Sequence, residues 1–377
     1  MKIEQNRISL NFNRQQCYVH SRGLILDNGF GIITTQKLEL NGEDVFYGIE
    51  LMKSFDGGKT FSLPVASKNL KRTYNQDKTS VVMCDATPFF HKKTGKIILV
   101  GHSARYSPDN ALVDPPRKRD VTYSVYNENE QDFEKVQNID IPNELADKYF
   151  SIGAGCAQIL ELESGELLIP VYFMSYEDAF DPYTNGYSVT VLRCDFDGKT
   201  ITIKEIGNEI TITVPRGLCE PSITKIDDKF LLCLRNDKSG YVCSSKDGLH
   251  YTQPKHLCFD NGENAGNYNT QQHWITTKDK AYLVYTRRAE TNSHVFRHRA
   301  PLFIAEFDVE KECLIKETEK IAVPERGARL GNFGCQSFSD KVGYVFASEW
   351  MQGDNGLSGC EEHGSDNSLF ITKIHFE

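Results

Sequence analysis

The stretch EPSITKIDDKFLLCLR, residues 220–235, contains the pattern that decides the fold. It starts with polar residues, continues as an apolar run, turns at Asp227 and Asp228, and ends as a second apolar run at Arg235. Two short apolar runs separated by turn-forming residues are typical of a β-hairpin. The stretch therefore predicts two paired strands with a polar residue at the open end of each.

Five further copies of this pattern occur along the chain. They are RGLILDNGFGIITTQ (22–36), DATPFFHKKTGKIILVGH (85–102), GCAQILELESGELLIPVY (155–172), QQHWITTKDKAYLVYTR (271–287) and GNFGCQSFSDKVGYVFASE (331–349). Successive copies start between 51 and 70 residues apart, which suits a four-stranded propeller blade with its loops. No long segment has helical periodicity. We predict an all-β, six-bladed β-propeller in which each copy supplies two inner strands; a β-sandwich is the alternative.

The chain has 377 residues, and all-β folds of this kind form single domains at such a length. No linker or low-complexity tract separates the six copies, so we expect one domain spanning residues 1–377. The stretch 107–120, rich in prolines and charges, suits a long loop over one face.

Composition excludes several classes of function. Lys and Arg total 43 against 52 for Asp and Glu, giving a net charge of -9, and no basic run occurs, so nucleic acid is not an expected partner. No signal-peptide core or span of about 20 apolar residues is present, so no membrane partner and a cytoplasmic location are expected. The 11 cysteines form no CxxC pair, and we expect no disulfides, metal site or cofactor.

Two short motifs follow the first and fourth copies. The first is SFDGGKTF, residues 54–61, and the second, shorter one is SKDGLHY, residues 245–251. In this motif, known as the Asp-box, Ser and Asp side chains close a turn while the aromatic ring packs between strands. Its occurrence at matching places in two copies supports a repeated blade.

With these boxes and six hairpins, the chain resembles the sialidase (neuraminidase) superfamily of propellers, from about residue 22 to residue 349. The resemblance implies a six-bladed sialidase-like fold and an exo-acting glycoside hydrolase. Such an enzyme releases a terminal carboxylate-bearing sugar, sialic acid or a relative, from an oligosaccharide or glycoside. The boxes themselves are structural and also occur in propellers with other functions.

The sialidase order of functional residues is met by Arg22, Asp44, Glu220 and Arg235. The resemblance implies that Arg22 and Arg235 grip the sugar carboxylate through paired charge-assisted hydrogen bonds. It places Asp44, in the loop NGEDVF, as the general acid/base. Glu220 then corresponds to the residue that takes the proton of a tyrosine nucleophile.

Other candidates follow from propeller geometry, because the ends of inner strands converge on the mouth of the channel. The third arginine of the grip is expected in the fifth blade, with Arg299 favoured over Arg287. Asp85 is a further catalytic candidate. The remaining candidates for substrate binding are Arg105, His91, Gln272 and His273.

The sequence departs from the sialidase pattern in the sixth copy. The tyrosine expected at the start of the inner strand is absent, and the stretch reads Gly331-Asn332-Phe333. Either Tyr268 or Tyr172 replaces it, or the mechanism differs from that of an ordinary retaining sialidase. Two alternative functions therefore stay open: a lyase or unconventional hydrolase of a uronic acid-containing glycan, and a non-catalytic carbohydrate-binding propeller.

Overall fold

A computed structural model of the chain describes residues 1–40 and 44–376. Six antiparallel sheets form the six blades of a β-propeller. The chain begins with strand β1 (Lys2–Ser9), which belongs to the last blade.

The first and second blades contain the next ten strands. The strands of the first blade are β2 (Gln16–Ile25), β3 (Gly31–Glu39), β4 (Phe46–Ser54) and β5 (Val65–Ala66). Those of the second are β6 (Thr73–Tyr74), β7 (Ser80–His91), β8 (Lys96–Tyr106), β9 (Val121–Asn127), β10 (Asp132–Phe133) and β11 (Gln137–Asn138).

The third and fourth blades continue in the same way. The third has β12 (Ser151–Gly153), β13 (Leu160–Glu161), β14 (Leu167–Met174), β15 (Ser188–Phe196) and β16 (Ile201–Ile206). The fourth has β17 (Cys219–Ile226), β18 (Lys229–Arg235), β19 (Gly240–Ser245) and β20 (Lys255–His256).

The fifth and sixth blades complete the ring. The fifth has β21 (His273–Thr276), β22 (Ala281–Tyr285), β23 (Leu302–Asp308), β24 (Cys313–Leu314) and β25 (Lys320–Val323). The sixth has β26 (Gly334–Ser339), β27 (Val342–Ser348), β28 (Ser368–His375) and β1. Helical segments are α1 (Gly356–Glu362) and the 3₁₀ turns Asn143–Leu145, Asp178–Phe180, Phe296–His298 and Lys316–Thr318.

The predicted six-bladed architecture is confirmed. The predicted hairpins supply inner strands in every blade, for example β2 with β3 and β17 with β18. In the third blade β12, which precedes the predicted copy, also pairs with β14. The innermost strands contact their neighbours around the ring, as β17 does with β21 and β21 with β26. The polar residues at the open ends of the hairpins are thereby brought towards one end of the central channel.

Buried apolar side chains fill the spaces between neighbouring blades. One cluster joins Val100 and Val121 of the second blade to Ile169 and Leu192 of the third. Because both faces of most blades are covered, their strands read as nearly continuous apolar runs rather than as alternating ones. No helix among the described residues is long and apolar enough to cross a membrane.

Each Asp-box motif forms a closed turn after the third strand of its blade, away from the innermost strands. Ser54 Oγ donates to Asp56 Oδ1 at 2.8 Å, and the Thr60 amide donates to the same oxygen at 3.0 Å. In the fourth blade, Ser245 Oγ donates to Asp247 Oδ1 at 2.8 Å. These carboxylates are used to close turns.

Candidate active site

Each blade contributes one non-glycine residue with a positive φ where its innermost strand begins or bulges. The φ angles are His20 57°, Asp85 54°, Cys156 55°, Glu220 49°, Asn269 55° and Asn332 69°. Residues other than glycine rarely adopt a positive φ, because this backbone conformation costs about 1–3 kcal/mol for each residue. Residues strained in this way cluster at functional sites. We call these six residues the channel ring.

Local bulges explain how the ring side chains turn out of their strands. The pairing register shifts between Val19 and Arg22 in the first blade and between Cys84 and Thr87 in the second. A similar shift follows Cys219 in the fourth blade. A bulge redirects the side chain of the extra residue. Here the bulges let the side chains of His20, Asp85 and Glu220 contact the other residues of the channel ring and the arginines beside it.

Four ring residues form one continuous chain of polar contacts. Asn332 Nδ2 lies 2.7 Å from His20 Nε2, and His20 Nδ1 lies 3.1 Å from Asp85 Oδ1. The thiol of Cys156 donates to the same Asp85 oxygen at 3.0 Å. Burial lowers the pKa of His20 to about 4. Burial opposes ionisation of Asp85, but the positive charges of Arg22 and of His20 when it is protonated outweigh this effect, so the pKa of Asp85 lies below its usual value.

Arg22 contacts two members of this series of polar contacts, Asp85 and Cys156, and is fully buried. Its Nη2 is 3.4 Å from Asp85 Oδ1 and donates to Cys156 Sγ at 3.0 Å, while Nε donates to the Phe333 carbonyl at 3.2 Å. Its Nη1 has no hydrogen-bond partner in the described part of the chain. This nitrogen therefore has hydrogen-bond donors that no described residue uses.

The other two residues of the channel ring, Glu220 and Asn269, both accept hydrogen bonds from Arg235. Arg235 donates from Nη1 to Glu220 Oε1, and its Nη2 donates to Asn269 Oδ1 at 2.8 Å and to Asp237 Oδ1 at 3.2 Å. Arg299 Nη2 shares the Asn269 side-chain oxygen at 3.1 Å. The second carboxylate oxygen of Glu220 is buried and unpartnered among residues 1–40 and 44–376. The structure thus brings together Glu220, Arg235 and Arg299, three of the candidate residues named from the sequence.

Arg299 and Arg329 are both only 4% exposed, and neither forms a salt bridge with a described carboxylate. Burial lowers the pKa of Arg299 to about 9, and repulsion by Arg235 acts in the same direction. Arg329 packs over the Trp350 ring, 3.4 Å from its centroid. A buried cation without an anionic partner is costly, so this pair favours a bound anion.

Two half-buried arginines extend the positive region. The Arg119 and Arg216 guanidinium carbons lie 5.7 and 5.6 Å from the centroid of the Tyr187 ring. Arg119 interacts electrostatically with Asp85, and Arg216 does so with Arg235. A chain with a net charge of -9 therefore concentrates arginines at one site, which attracts anions electrostatically.

Asp44 is exposed and follows residues 41–43, which lie outside the described part. Its backbone carbonyl accepts a hydrogen bond from the Tyr106 hydroxyl at 2.8 Å. Its charge interacts with His20, Arg299 and Arg329. Asp44 therefore lies on the solvent side of Arg299 and Arg329.

Three predicted site residues lie away from this cluster. Arg287 pairs with Glu319, to which its Nε donates at 2.9 Å, and Arg105 pairs with Asp120. His91 lies at the hairpin end of β7, where Nε2 is 2.8 Å from the Gly165 carbonyl. The structure does not bring these three side chains to the ring, because local partners already hold each of them.

Gln272 and His273 are buried in the inner part of the fifth blade. The Gln272 amide donates to the Leu234 carbonyl at 3.2 Å and accepts from Asn267 at 2.8 Å. His273 Nδ1 lies 2.8 Å from Ser222 Oγ, and burial lowers the pKa of this histidine to about 3. Both contacts join neighbouring blades, so these residues serve packing in this structure.

Neither alternative tyrosine is paired with a carboxylate among the described residues. The Tyr172 hydroxyl lies 3.3 Å from His102 Nδ1, and the Tyr268 hydroxyl lies 2.5 Å from His298 Nδ1. The position expected for the nucleophile, just before β26, holds Asn332, whose partner is His20. The described site thus lacks the tyrosine and carboxylate pair that the resemblance implies.

Sequence reasoning missed most of the ring, including His20, Asn269 and Asn332, as well as Arg329. A usable signal was present, because every ring residue lies within two positions of the start of a predicted copy. Comparing that position across the six copies would have identified the ring. Arg329 also lies two positions before the start of the sixth copy, but it is not the residue with the positive φ there.

Comparison with known proteins supports the fold. No family model and no curated protein matches the sequence. A protein of unknown function from Dyadobacter fermentans has a TM-score of 0.69 and 13% identity, covering 100% of this chain and 99% of that one. A Trypanosoma rangeli sialidase in complex with the inhibitor DANA has a TM-score of 0.65 and 12% identity, covering 98% of this chain but 59% of its own.

The NanB sialidase from Streptococcus pneumoniae has a TM-score of 0.65 and 12% identity, covering 98% of this chain and 70% of its own. At such low identity these likenesses concern the fold alone. Together with the six blades and their inner hairpins, they identify the architecture of this chain as a sialidase-like six-bladed β-propeller.

Proposed function

We propose that this protein is an exo-acting glycoside hydrolase of the sialidase type, which releases a terminal carboxylate-bearing sugar, sialic acid or a relative, from oligosaccharides. The observation that carries the proposal is the pair Arg299 and Arg329, which are buried close to each other and form no salt bridge with a described carboxylate. A sugar carboxylate would supply the missing negative charge. The sialidase structures of the same fold point to the same class of ligand.

Three of the clustered arginines have nitrogen atoms that could donate hydrogen bonds to such a carboxylate. Arg22 Nη1, Arg299 Nε and Arg329 Nε are buried and have no partner in the described part of the chain. Planar guanidinium groups bind carboxylates through two parallel hydrogen bonds and keep their charge when buried. We assign carboxylate recognition to Arg22, Arg235, Arg299 and Arg329.

The absence of a tyrosine at position 332 favours a single displacement by water. In this proposal Glu220 Oε2 accepts a proton from water as the water oxygen attacks the anomeric carbon. Asp44 donates a proton to the leaving glycosidic oxygen as its bond to that carbon breaks. One displacement at the anomeric carbon inverts its configuration, which distinguishes this route from a retaining sialidase.

A second candidate is a lyase that acts on a uronic acid-containing glycan. It is favoured by the contact of the Tyr172 hydroxyl with His102 and by Arg119, whose guanidinium carbon lies 5.3 Å from the Tyr172 ring centroid. A tyrosine or histidine would remove the proton at carbon five, and the bond from carbon four to the leaving oxygen would break. Arginines would neutralise the adjacent carboxylate in this route too.

One experiment separates the possibilities. The purified chain is incubated with sialosides and uronides, and products are followed by proton NMR and by ultraviolet absorbance. The hydrolase proposal predicts a free carboxylate sugar whose first-formed anomer is inverted, whereas a lyase product absorbs because it contains a new double bond. Binding of these sugars without any product would replace the enzyme proposal with a carbohydrate-binding propeller.

A further inference from the structure

The second blade holds a cluster of metal-binding groups that the proposed reaction does not use. Cys84 and His102 are paired across β7 and β8, and Cys84 Sγ lies 3.2 Å from His102 Nε2. Asp85 Oδ2 lies 3.9 Å from the same nitrogen. The ligand atoms of these three residues all lie within 4.8 Å of one another.

A backbone irregularity creates this grouping. Consecutive residues of a regular strand point to opposite faces, so Cys84 and Asp85 would not normally share a site. The register shift after Cys84, with φ 54° at Asp85, removes that restriction and brings both side chains to His102. Sequence analysis predicted no metal site here, since such a bulge leaves no motif in the residue spacing.

We propose that Cys84, Asp85 and His102 form a zinc site. Thiolate, imidazole and carboxylate are the ligand types that zinc prefers, and its bond lengths of about 2.0–2.3 Å place the ligand atoms of a tetrahedral site about 3.3–3.7 Å apart. The two separations from His102, 3.2 and 3.9 Å, are close to these values, and the third pair of ligand atoms lies within 4.8 Å. Three protein ligands leave a fourth position for water, the pattern of catalytic zinc sites.

Contacts around the ligands independently support the proposal. The Tyr172 hydroxyl lies 3.3 Å from His102 Nδ1 and would orient the ring so that Nε2 faces the metal. Arg22 and Cys156 contact Asp85 Oδ1, leaving Oδ2 towards His102. Gly155 leaves room for the ring, since a Cβ there would lie 1.8 Å from His102 Nδ1.

The charges of the site also balance. One thiolate and one carboxylate neutralise a divalent ion, so the occupied site itself carries no net charge beside Arg22 and Arg119; because Asp85 is already ionised, zinc binding with release of the Cys84 thiol proton raises the charge of the site by one unit. The ion would lie next to Arg22, because Asp85 contacts both Arg22 and His102. Zinc binding is independent of the proposed glycosidase activity, and the following test does not measure turnover.

The test uses the purified full chain after chelator treatment and dialysis. Cobalt(II) is titrated as a spectroscopic substitute for zinc, and zinc binding is measured by calorimetry. We expect one equivalent of metal and a thiolate-to-cobalt charge-transfer band. In Cys84→Ser the band disappears and zinc binds at least about 10–100-fold more weakly. The control Cys243→Ser, whose buried thiol donates a hydrogen bond to the Leu232 carbonyl in the fourth blade, leaves the band and the zinc affinity unchanged.

Two outcomes overturn the zinc site: no metal binding by the wild-type chain, and equal zinc affinity in Cys84→Ser. Circular dichroism checks the fold of each variant. If Cys84→Ser does not fold, Tyr172→Phe takes its place, because it removes only the hydroxyl that orients His102. A folded Tyr172→Phe protein is expected to bind zinc about 10-fold more weakly, and unchanged affinity refutes the proposal.

Discussion

Glu220 combines three properties that a catalytic base needs. Its positive φ and the neighbouring bulge turn the side chain out of the regular strand pattern. Arg235 donates a hydrogen bond to Oε1 and holds it in place, while Oε2 has no described partner. One oxygen is therefore held in place and the other is available to accept a proton.

We predict that Glu220→Gln lowers kcat by about 10²–10⁴, the usual effect of losing general acid–base catalysis, with little change in affinity for the carboxylate sugar. Glutamine preserves the shape and the hydrogen-bond acceptor for Arg235 but does not take up a proton. The matched control is Glu319→Gln, which alters the Arg287 pair away from the ring and leaves kcat unchanged. Wild-type turnover in Glu220→Gln would remove Glu220 from the mechanism.

The positions of Arg22, Glu220 and Arg235 follow from sequence because each lies at an end of a recognisable hairpin. The choice between Arg287 and Arg299 does not, since it depends on the path of the long connection between β22 and β23. There Asn292 Nδ2 donates to the Arg287 and Ala300 carbonyls at 2.9 and 2.8 Å. Such a loop is shaped by tertiary contacts that leave no periodic pattern.

At the scale of elements, the inner hairpins were predictable because their two strands are adjacent in sequence. The short strands at the sheet edges were less predictable: β5, β6 and β10 each contain two residues and are defined by pairing rather than by local preference. Strand β1 is the extreme case, since its partner β28 lies at the other end of the chain. Their ladder runs from Lys2 opposite His375 to Ser9 opposite Ser368.

We predict that deleting residues 1–9 lowers the free energy of unfolding by roughly 3 kcal/mol or more, because several ladder hydrogen bonds at about 0.5–1.5 kcal/mol each are lost. The deletion also exposes β28 as an edge, which promotes association. Urea unfolding and light scattering measure the two effects. The control Glu4→Ala changes an exposed side chain and keeps the ladder; equal stability of the deletion variant and this control would show that β1 does not hold the ring closed.

At the scale of the whole molecule, the fold buries ionisable groups along the channel in a chain whose surface is acidic. Burial lowers the pKa of His273 to about 3 and that of His20 to about 4. In the unfolded chain each titrates near its ordinary value of about 6.5. Between these limits the unfolded state binds protons that the folded state does not.

Stability is therefore expected to be fully present above about pH 6.5 and to fall as the pH is lowered towards about 4 for His20 and about 3 for His273. The loss is of order 3–5 kcal/mol per histidine. Urea unfolding of the metal-free protein across this range measures the slope. The variant His273→Gln is expected to reduce the dependence of the free energy of unfolding on pH. The variant His256→Gln, at an exposed position, is expected to leave this dependence unchanged. A pH-independent free energy of unfolding over this window would contradict the burial argument.

The most direct test of the central claim is calorimetric titration with uncleavable thioglycosides of sialic acid and glucuronic acid, each compared with its neutral methyl ester. Wild-type protein should bind at least one carboxylate form, and its ester much more weakly. Arg299→Met should reduce that affinity by about 2–5 kcal/mol, the cost of truncating one partner of a buried charged pair, while Arg287→Met, at the arginine held by Glu319, retains it. Equal affinity for acid and ester, or full binding by Arg299→Met, would contradict carboxylate recognition by the arginine cluster.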